Sequence, residues 1–270
     1  MLYFNYCSIK AYGTRYRAVC VNHPIDISPG AVRIGAKRGS ASTSERFRQS
    51  VSRTRNRVFE IAACNSFDWF GTFTLDKEKY DRHDLSKFRK DFAQFLRDER
   101  KRTGARIDYL LIPERHKDGA WHMHGLLRGL PEDALFPFDE SAPRRLRDGG
   151  YLNWPRYQRR FGFCSFGAIR DQAKVASYVT KYIAKGLDER CEDKDVHLYF
   201  ASRGLARAEQ IMRGELPDPS ACAWSWQGEH TSRRDTNDLA ALVPMMQQMT
   251  KRQIDAPWKI ENLELNSVEK

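Results

Sequence analysis

Two short stretches hold side chains that could do chemistry together. The first is Glu114-Arg-His-Lys-Asp-Gly-Ala-Trp-His-Met-His124. In a strand, side chains two apart share a face, so His122 and His124 project together while Met123 turns the other way. Lys117-Asp-Gly119 is a hairpin signal. The preceding strand then returns alongside and sets Glu114 on the histidine face. Two imidazoles and a carboxylate leave open positions on an ion, as a catalytic site does. The mixed nitrogen and oxygen donors suit Mn²⁺ or Mg²⁺ in phosphoryl transfer, and zinc or Fe(II) fits them too. His-Met-His alone reads better as an ordinary strand with two half-exposed histidines; Glu114 across the turn favours the ligand set. His116 shares the parity of Glu114 and reads as solvent-exposed.

The second stretch is Tyr178-Val-Thr-Lys-Tyr-Ile-Ala-Lys185. On a helix, positions i and i+4 share a face. Tyr178 therefore lines up with Tyr182, and Lys181 with Lys185. A phenol with a pKa near 10 is a poor nucleophile at neutral pH. It needs a nearby cation or an activated electrophile, and the lysines could stabilise a phenolate and hold a phosphate. Taken alone, the pattern is ordinary amphipathic packing.

Several elements must position these groups. Ser40 to Asn65 reads as a helix, with capping residues ahead of an Arg-rich stretch. Its segment SERFRQSVSRTRNR carries five arginines, of which Arg53, Arg55 and Arg57 are candidates for phosphate contact. Trp69 to Leu75 reads as a strand. Asp84 to Arg102 reads as a helix, with Leu85, Phe88, Phe92, Phe95 and Leu96 on one side. Strands are expected at Ile107 to Glu114 and at Trp121 to Leu127. A long loop over 131–160 holds a short helix around WPRYQRRF. A strand follows at 163–169, a helix at 172–185 ended by Gly186, and a short strand at 197–202. This order implies an α+β fold: a central antiparallel sheet of about five strands with helices packed on one face. The expected divisions are a basic arm or peripheral strands plus a helix over 1–60, a core over 61–210, and an extension over 211–270.

Composition narrows the partners. Hydrophobic residues make up 41% of the 270 residues, so a sizeable core can form. The net charge of +11 favours a polyanion, nucleic acid before an anionic membrane surface. No apolar run is long enough to span a membrane, and the first residues do not read as a signal peptide. Six scattered cysteines without a C-x-x-C pair point to a reducing cytosol rather than a disulfide framework. No phosphate loop of an ATPase is present. Arg144, Arg145, Arg147, Arg156, Arg159 and Arg160 are further candidates for phosphate contact, and binding should weaken steeply with salt. Trp121, Trp154, Tyr157, Phe161 and Phe163 could stack on bases, though core packing accounts for most aromatics of this kind.

In chain order, Phe73-Thr74-Leu75-Asp76, His122-Met123-His124 with Glu114, and the doubled Y-x-x-K helix at 178–185 resemble the three motifs of the HUH endonuclease superfamily. The doubled tyrosine is similar to rolling-circle replication initiators of phages and plasmids. The resemblance covers roughly residues 65–205. It implies that Glu114, His122 and His124 hold Mn²⁺ or Mg²⁺. It also implies that Tyr178 or Tyr182 attacks single-stranded DNA at a replication origin, leaving a 5′-phosphotyrosine and a free 3′-OH. Lys181 and Lys185 would counter charge on phenolate and phosphate. A host helicase and polymerase would be partners in a bacterial cytoplasm.

Rival readings are a transposase or relaxase on the same chemistry and a non-catalytic DNA-binding protein on the same fold. A metal-dependent oxygenase using two histidines and a carboxylate is a third. Single-tyrosine transposases lack a doubled motif, and relaxases usually carry their tyrosine ahead of the histidines.

Overall fold

The computed structural model describes residues 2–26, 44–184 and 197–255. The chain divides into two compact units, Met1–Gly35 with Arg207–Lys270, and Ala36–Ala206. Near the amino terminus, β1 (Leu2–Tyr3) pairs with β4 (Ile25–Asp26) around a hairpin of β2 (Tyr6–Tyr12) and β3 (Arg15–Val21). Residues near the start thus form strands rather than a free arm. Alternation explains them: Cys7, Ile9, Ala11, Ala18 and Cys20 are buried on one face while their neighbours turn outward.

The second unit opens with α1 (Ser44–Cys64) and continues through β5 (Trp69–Thr74), α2 (Leu85–Thr103), β6 (Asp108–Arg115) and β7 (Trp121–Arg128). Asp84 caps α2 by accepting the N–H of Lys87, and Gly104 ends it in the left-handed region at φ 72°. Gly119 takes φ 81° in the turn between β6 and β7, a conformation that glycine reaches without strain. The loop expected over 131–160 holds more structure than one short helix. It contains β8 (Phe136–Pro137), α3 (Arg144–Asp148), β9 (Leu152–Asn153) and α4 (Pro155–Arg160). Then come β10 (Cys164–Ala168), α5 (Gln172–Val179), α6 (Lys181–Ala184) and β11 (Phe200–Ala201).

These strands form one seven-stranded antiparallel sheet in the order β11-β6-β7-β5-β10-β9-β8. The α+β reading holds, but the sheet is wider than about five strands, because β8 and β9 extend one edge. Helices also cover both faces rather than one. Phe88, Phe92 and Phe95 of α2 and Tyr157 of α4 pack with Phe73, Leu111, Met123 and Phe166 of the strands. On the other face, Val58 and Ile61 of α1, Val179 of α5 and Ile183 of α6 pack with Leu110, Ile112 and Leu126. Period-two alternation along β5, β6 and β7 makes both sets from the same strands. The helix expected over 1–60 therefore packs with the sheet of the second unit.

Downstream, β12 (Glu209–Glu215), β13 (Trp226–Gln227), β14 (Thr231–Thr236) and β15 (Thr250–Ile254) join β2 and β3 in a six-stranded sheet. The short helix α7 (Val243–Gln248) brings Met245 and Met246 into its core beside Cys7, Ile9 and Met212. The stretch read as a terminal extension over 211–270 supplies four strands of a sheet shared with the amino terminus.

Candidate active site

Register places the acid and the imidazoles on neighbouring strands. Glu114 of β6 lies opposite His122 of β7, and Ile112 opposite His124. Across the other edge of β7, Thr74 faces His122 and Thr72 faces His124. The two threonine hydroxyls each lie 3.2 Å from the Nδ1 of the histidine they face. Contact at Nδ1 fixes each ring and turns Nε2 to the far side. His124 Nε2 then meets Glu114 Oε2 at 2.6 Å.

The tyrosines come from the helical layer above. Asp171 caps α5 by accepting the N–H groups of Ala173 and Lys174. The single helix expected over 172–185 is interrupted at Thr180, whose hydroxyl donates to the carbonyl of Ser177 at 2.7 Å. Such back-bonding competes with continued helix. The one-turn spacing of the tyrosines survives the interruption. Tyr178 and Tyr182 bring their phenol oxygens to 2.8 Å of each other. The Tyr182 ring stacks on His124 at 4.0 Å between centroids, with an interplanar angle of 21°. Phe70 packs against both tyrosines and His124 from the sheet.

The two phenols differ in environment. Tyr182 is 8% exposed and Tyr178 44%. Burial pushes the Tyr182 pKa well up, and its hydrogen bond with Tyr178 pushes in the same direction. Tyr182 therefore keeps its proton at neutral pH. The Lys181 ammonium stands 5.5 Å from the Tyr178 ring centroid. Lys185 lies outside the described residues.

His122 is held neutral. Burial lowers its pKa to about 4, helped by the neighbouring imidazoles of His116 and His124. A neutral imidazole is the form that binds metal. His116 is exposed, as expected, and stacks on the His122 ring at 4.0 Å. Among the described residues, no three His, Cys, Asp or Glu side chains stand gathered as a ready ligand set. Glu114 and His124 close on one another, and His122 is engaged by Thr74 and His116. The donor chemistry nonetheless fits a divalent cation. The imidazole nitrogen and carboxylate oxygen of the 2.6 Å pair converge on one point, where a cation could replace the proton between them, and neutral His122 shares their face.

The arginines separate by face. Arg53, Arg55 and Arg57 are exposed on α1, whose apolar side packs on the histidine face of the sheet. Arg57 also pairs with Glu60. Arg156, Arg159 and Arg160 belong to α4, which packs on the opposite face with α2. Arg156 binds the fully buried Glu99 of α2, and Arg160 lies 3.7 Å from Asp98. Arg159 is exposed. Helical amphipathicity does not say which sheet face a helix covers, so the sequence pattern groups these three with the site, whereas they stand behind it. Trp121, Trp154, Tyr157 and Phe161 are buried; Phe163 is exposed.

Three neighbours of the site escape the motif reading: Phe70, Thr72 and Tyr151. Alternation in Trp69-Phe-Gly-Thr-Phe-Thr74 could have revealed the first two, since Phe70 and Thr72 share parity with Thr74. Tyr151 has no such signal. It comes from the long loop, lies over Gly167 of β10, and acts with burial and Tyr178 to raise the Tyr182 pKa.

Residues 68–187 match the family model of the ORF2-type replication-associated proteins. The match supports a replication initiator. The matched segment begins one residue before β5 and ends beyond α6, so it spans every acid, imidazole and phenol described above. No curated protein and no solved structure gives a significant match. None of the described helices is long and apolar enough to cross a membrane.

Proposed function

We propose that the chain initiates replication as an HUH-type endonuclease that nicks and rejoins single-stranded origin DNA through a tyrosine–DNA link. One observation carries the reading: a phenol pair from a later helix stacks on an imidazole that is itself bound to a carboxylate. Tyr182, kept protonated by burial, donates its O–H to the Tyr178 oxygen. That leaves the exposed Tyr178 as the phenol that reacts first. Its oxygen forms a bond to the scissile phosphorus, and the phosphorus–O3′ bond breaks. The 3′ oxygen takes up a proton and becomes the 3′-OH from which a host polymerase could extend, with a host helicase opening the duplex. One phosphodiester is exchanged for another, so rejoining needs no ATP. Lys181 counters charge on the phenolate and the phosphate.

Glu114, His122 and His124 would hold the divalent ion, Mn²⁺ or Mg²⁺, which when bound would draw charge from a non-bridging phosphate oxygen. Thr72 and Thr74 orient the imidazoles. The α1 arginines lie on the face from which the strand would approach.

The test is incubation with labelled single-stranded origin DNA and Mn²⁺, followed by denaturing electrophoresis. A covalent protein–DNA band is expected for the wild type. It should be much reduced for Tyr178→Phe and absent for Tyr178→Phe/Tyr182→Phe. A band surviving in the double variant would refute the nucleophile. Cleavage persisting in EDTA would refute the metal, and DNA binding without any nick would favour a non-catalytic DNA-binding protein.

A further inference from the structure

Phe163 is a large apolar side chain left 39% exposed, and neither the family match nor the nicking chemistry assigns it a role. Its neighbour Cys164 pairs in register with Phe73 and points into the aromatic core. Strand alternation turns Phe163 the other way, onto the face of the histidines. Its carbonyl accepts the N–H of Thr74 at 2.8 Å, and Thr74 in turn faces His122. Phe163 therefore stands two strand spacings, about 10 Å, from His122 along one row of the sheet. Phe138 stacks behind it, with centroids 5.7 Å apart and an interplanar angle of 22°. Phe136, 50% exposed, lies two residues before Phe138.

We infer that Phe163, backed by Phe138, is a stacking platform for a nucleobase of the single strand whose phosphate lies at the histidines. The inference rests on the proposed nicking function for its substrate class, but its physical grounds are separate. An exposed ring held flat by a second ring is pre-organised, so little freedom is lost when a planar partner covers it. A chain with a net charge of +11 draws polyanions to its surface. Every base has a π face, so a phenylalanine grips a strand without reading its sequence. A ring with no polar edge suits that task, because it offers no hydrogen bond to favour one base over another.

Fluorescence anisotropy on the full chain tests this, with labelled oligothymidylate and an abasic strand of equal length as probes. Phe163→Ala and Phe163→Leu should weaken oligothymidylate binding about tenfold. Phe163→Trp should bind like the wild type. All four proteins should bind the abasic strand alike. Equal oligothymidylate affinity for Phe163→Leu and wild type would overturn the platform. So would an equal loss on both probes, which would mark Phe163 as a packing residue or a protein contact. Adduct formation, assayed in parallel, separates the two claims. A wild type that binds bases through Phe163 but never forms an adduct loses the nicking function and keeps the platform. A wild type that forms the adduct while Phe163→Leu binds normally loses only the platform.

Discussion

One face of the seven-stranded sheet carries Phe73, Met123, Cys164 and Phe166 into a layer of rings from α2 and α4. The other turns Thr72, Thr74, His122, His124 and Glu114 toward Tyr178 and Tyr182. Both faces come from the same strands, one residue out of phase. The first is dry and tightly packed: Phe73 alone meets the rings of Phe92, Tyr157 and Phe166 edge-on. The second gives up apolar packing at its end to hold polar groups, which satisfy one another instead of water. The contrast teaches where rigidity and chemistry sit. A site needs side chains fixed closely, and the aromatic layer on the far side of the same strands supplies that stiffness without entering the reaction.

The largest effect that could break this contrast is on stability. Phe73→Ala should lower unfolding free energy by about 3–5 kcal/mol, read by denaturant titration. His124→Ala should change it by about 1 kcal/mol or less, while removing adduct formation. Equal destabilisation by both variants would show that the two faces are not divided in this way.

Next in size is Arg156. Its removal leaves fully buried Glu99 with Arg102 as its remaining ion-pair partner, and should lower stability by about 1–3 kcal/mol. Salt-dependent binding to single-stranded DNA should be unchanged. Arg55→Ala should do the reverse, leaving stability intact and reducing the salt slope by about 1. A reduced slope for Arg156→Ala would place DNA on the aromatic side.

A pH titration of metal-free protein in EDTA probes the polar face. The folded-state pKa of His122 is lowered from 6.5 to about 4. Above about pH 6.5 both folded and unfolded states leave it neutral, and its contribution is flat. As pH falls from about 6.5 toward 4, the unfolded imidazole takes a proton that the folded one refuses, so stability is lost. After allowance for solvent screening, the loss should be about 1–2 kcal/mol. His122→Ala should remove that part of the pH dependence; an unchanged profile would mean that His122 is not held neutral by the fold.

The smallest expected effect is at Thr74. Thr74→Val should slow adduct formation about tenfold by freeing the His122 ring, with unfolding unaltered. Activity equal to wild type would mean that the hydroxyl does not orient the imidazole.

Much of the site was legible because it is local. The parity of His122 and His124, the Asp-Gly turn that returns Glu114 beside them, the Asp84 start of α2 and the one-turn spacing of Tyr178 and Tyr182 each depend on residues within about ten positions. Backbone periodicity and turn chemistry act over that range. Tertiary structure alone decided the rest. Tyr6 pairs with Glu215 across the whole chain, α4 lies behind the sheet rather than before it, and Tyr182 is buried while Tyr178 stays in reach of solvent. Those outcomes turn on which apolar surfaces cover each other. That choice is made by the assembled core, and a local pattern of residue types carries no mark of it.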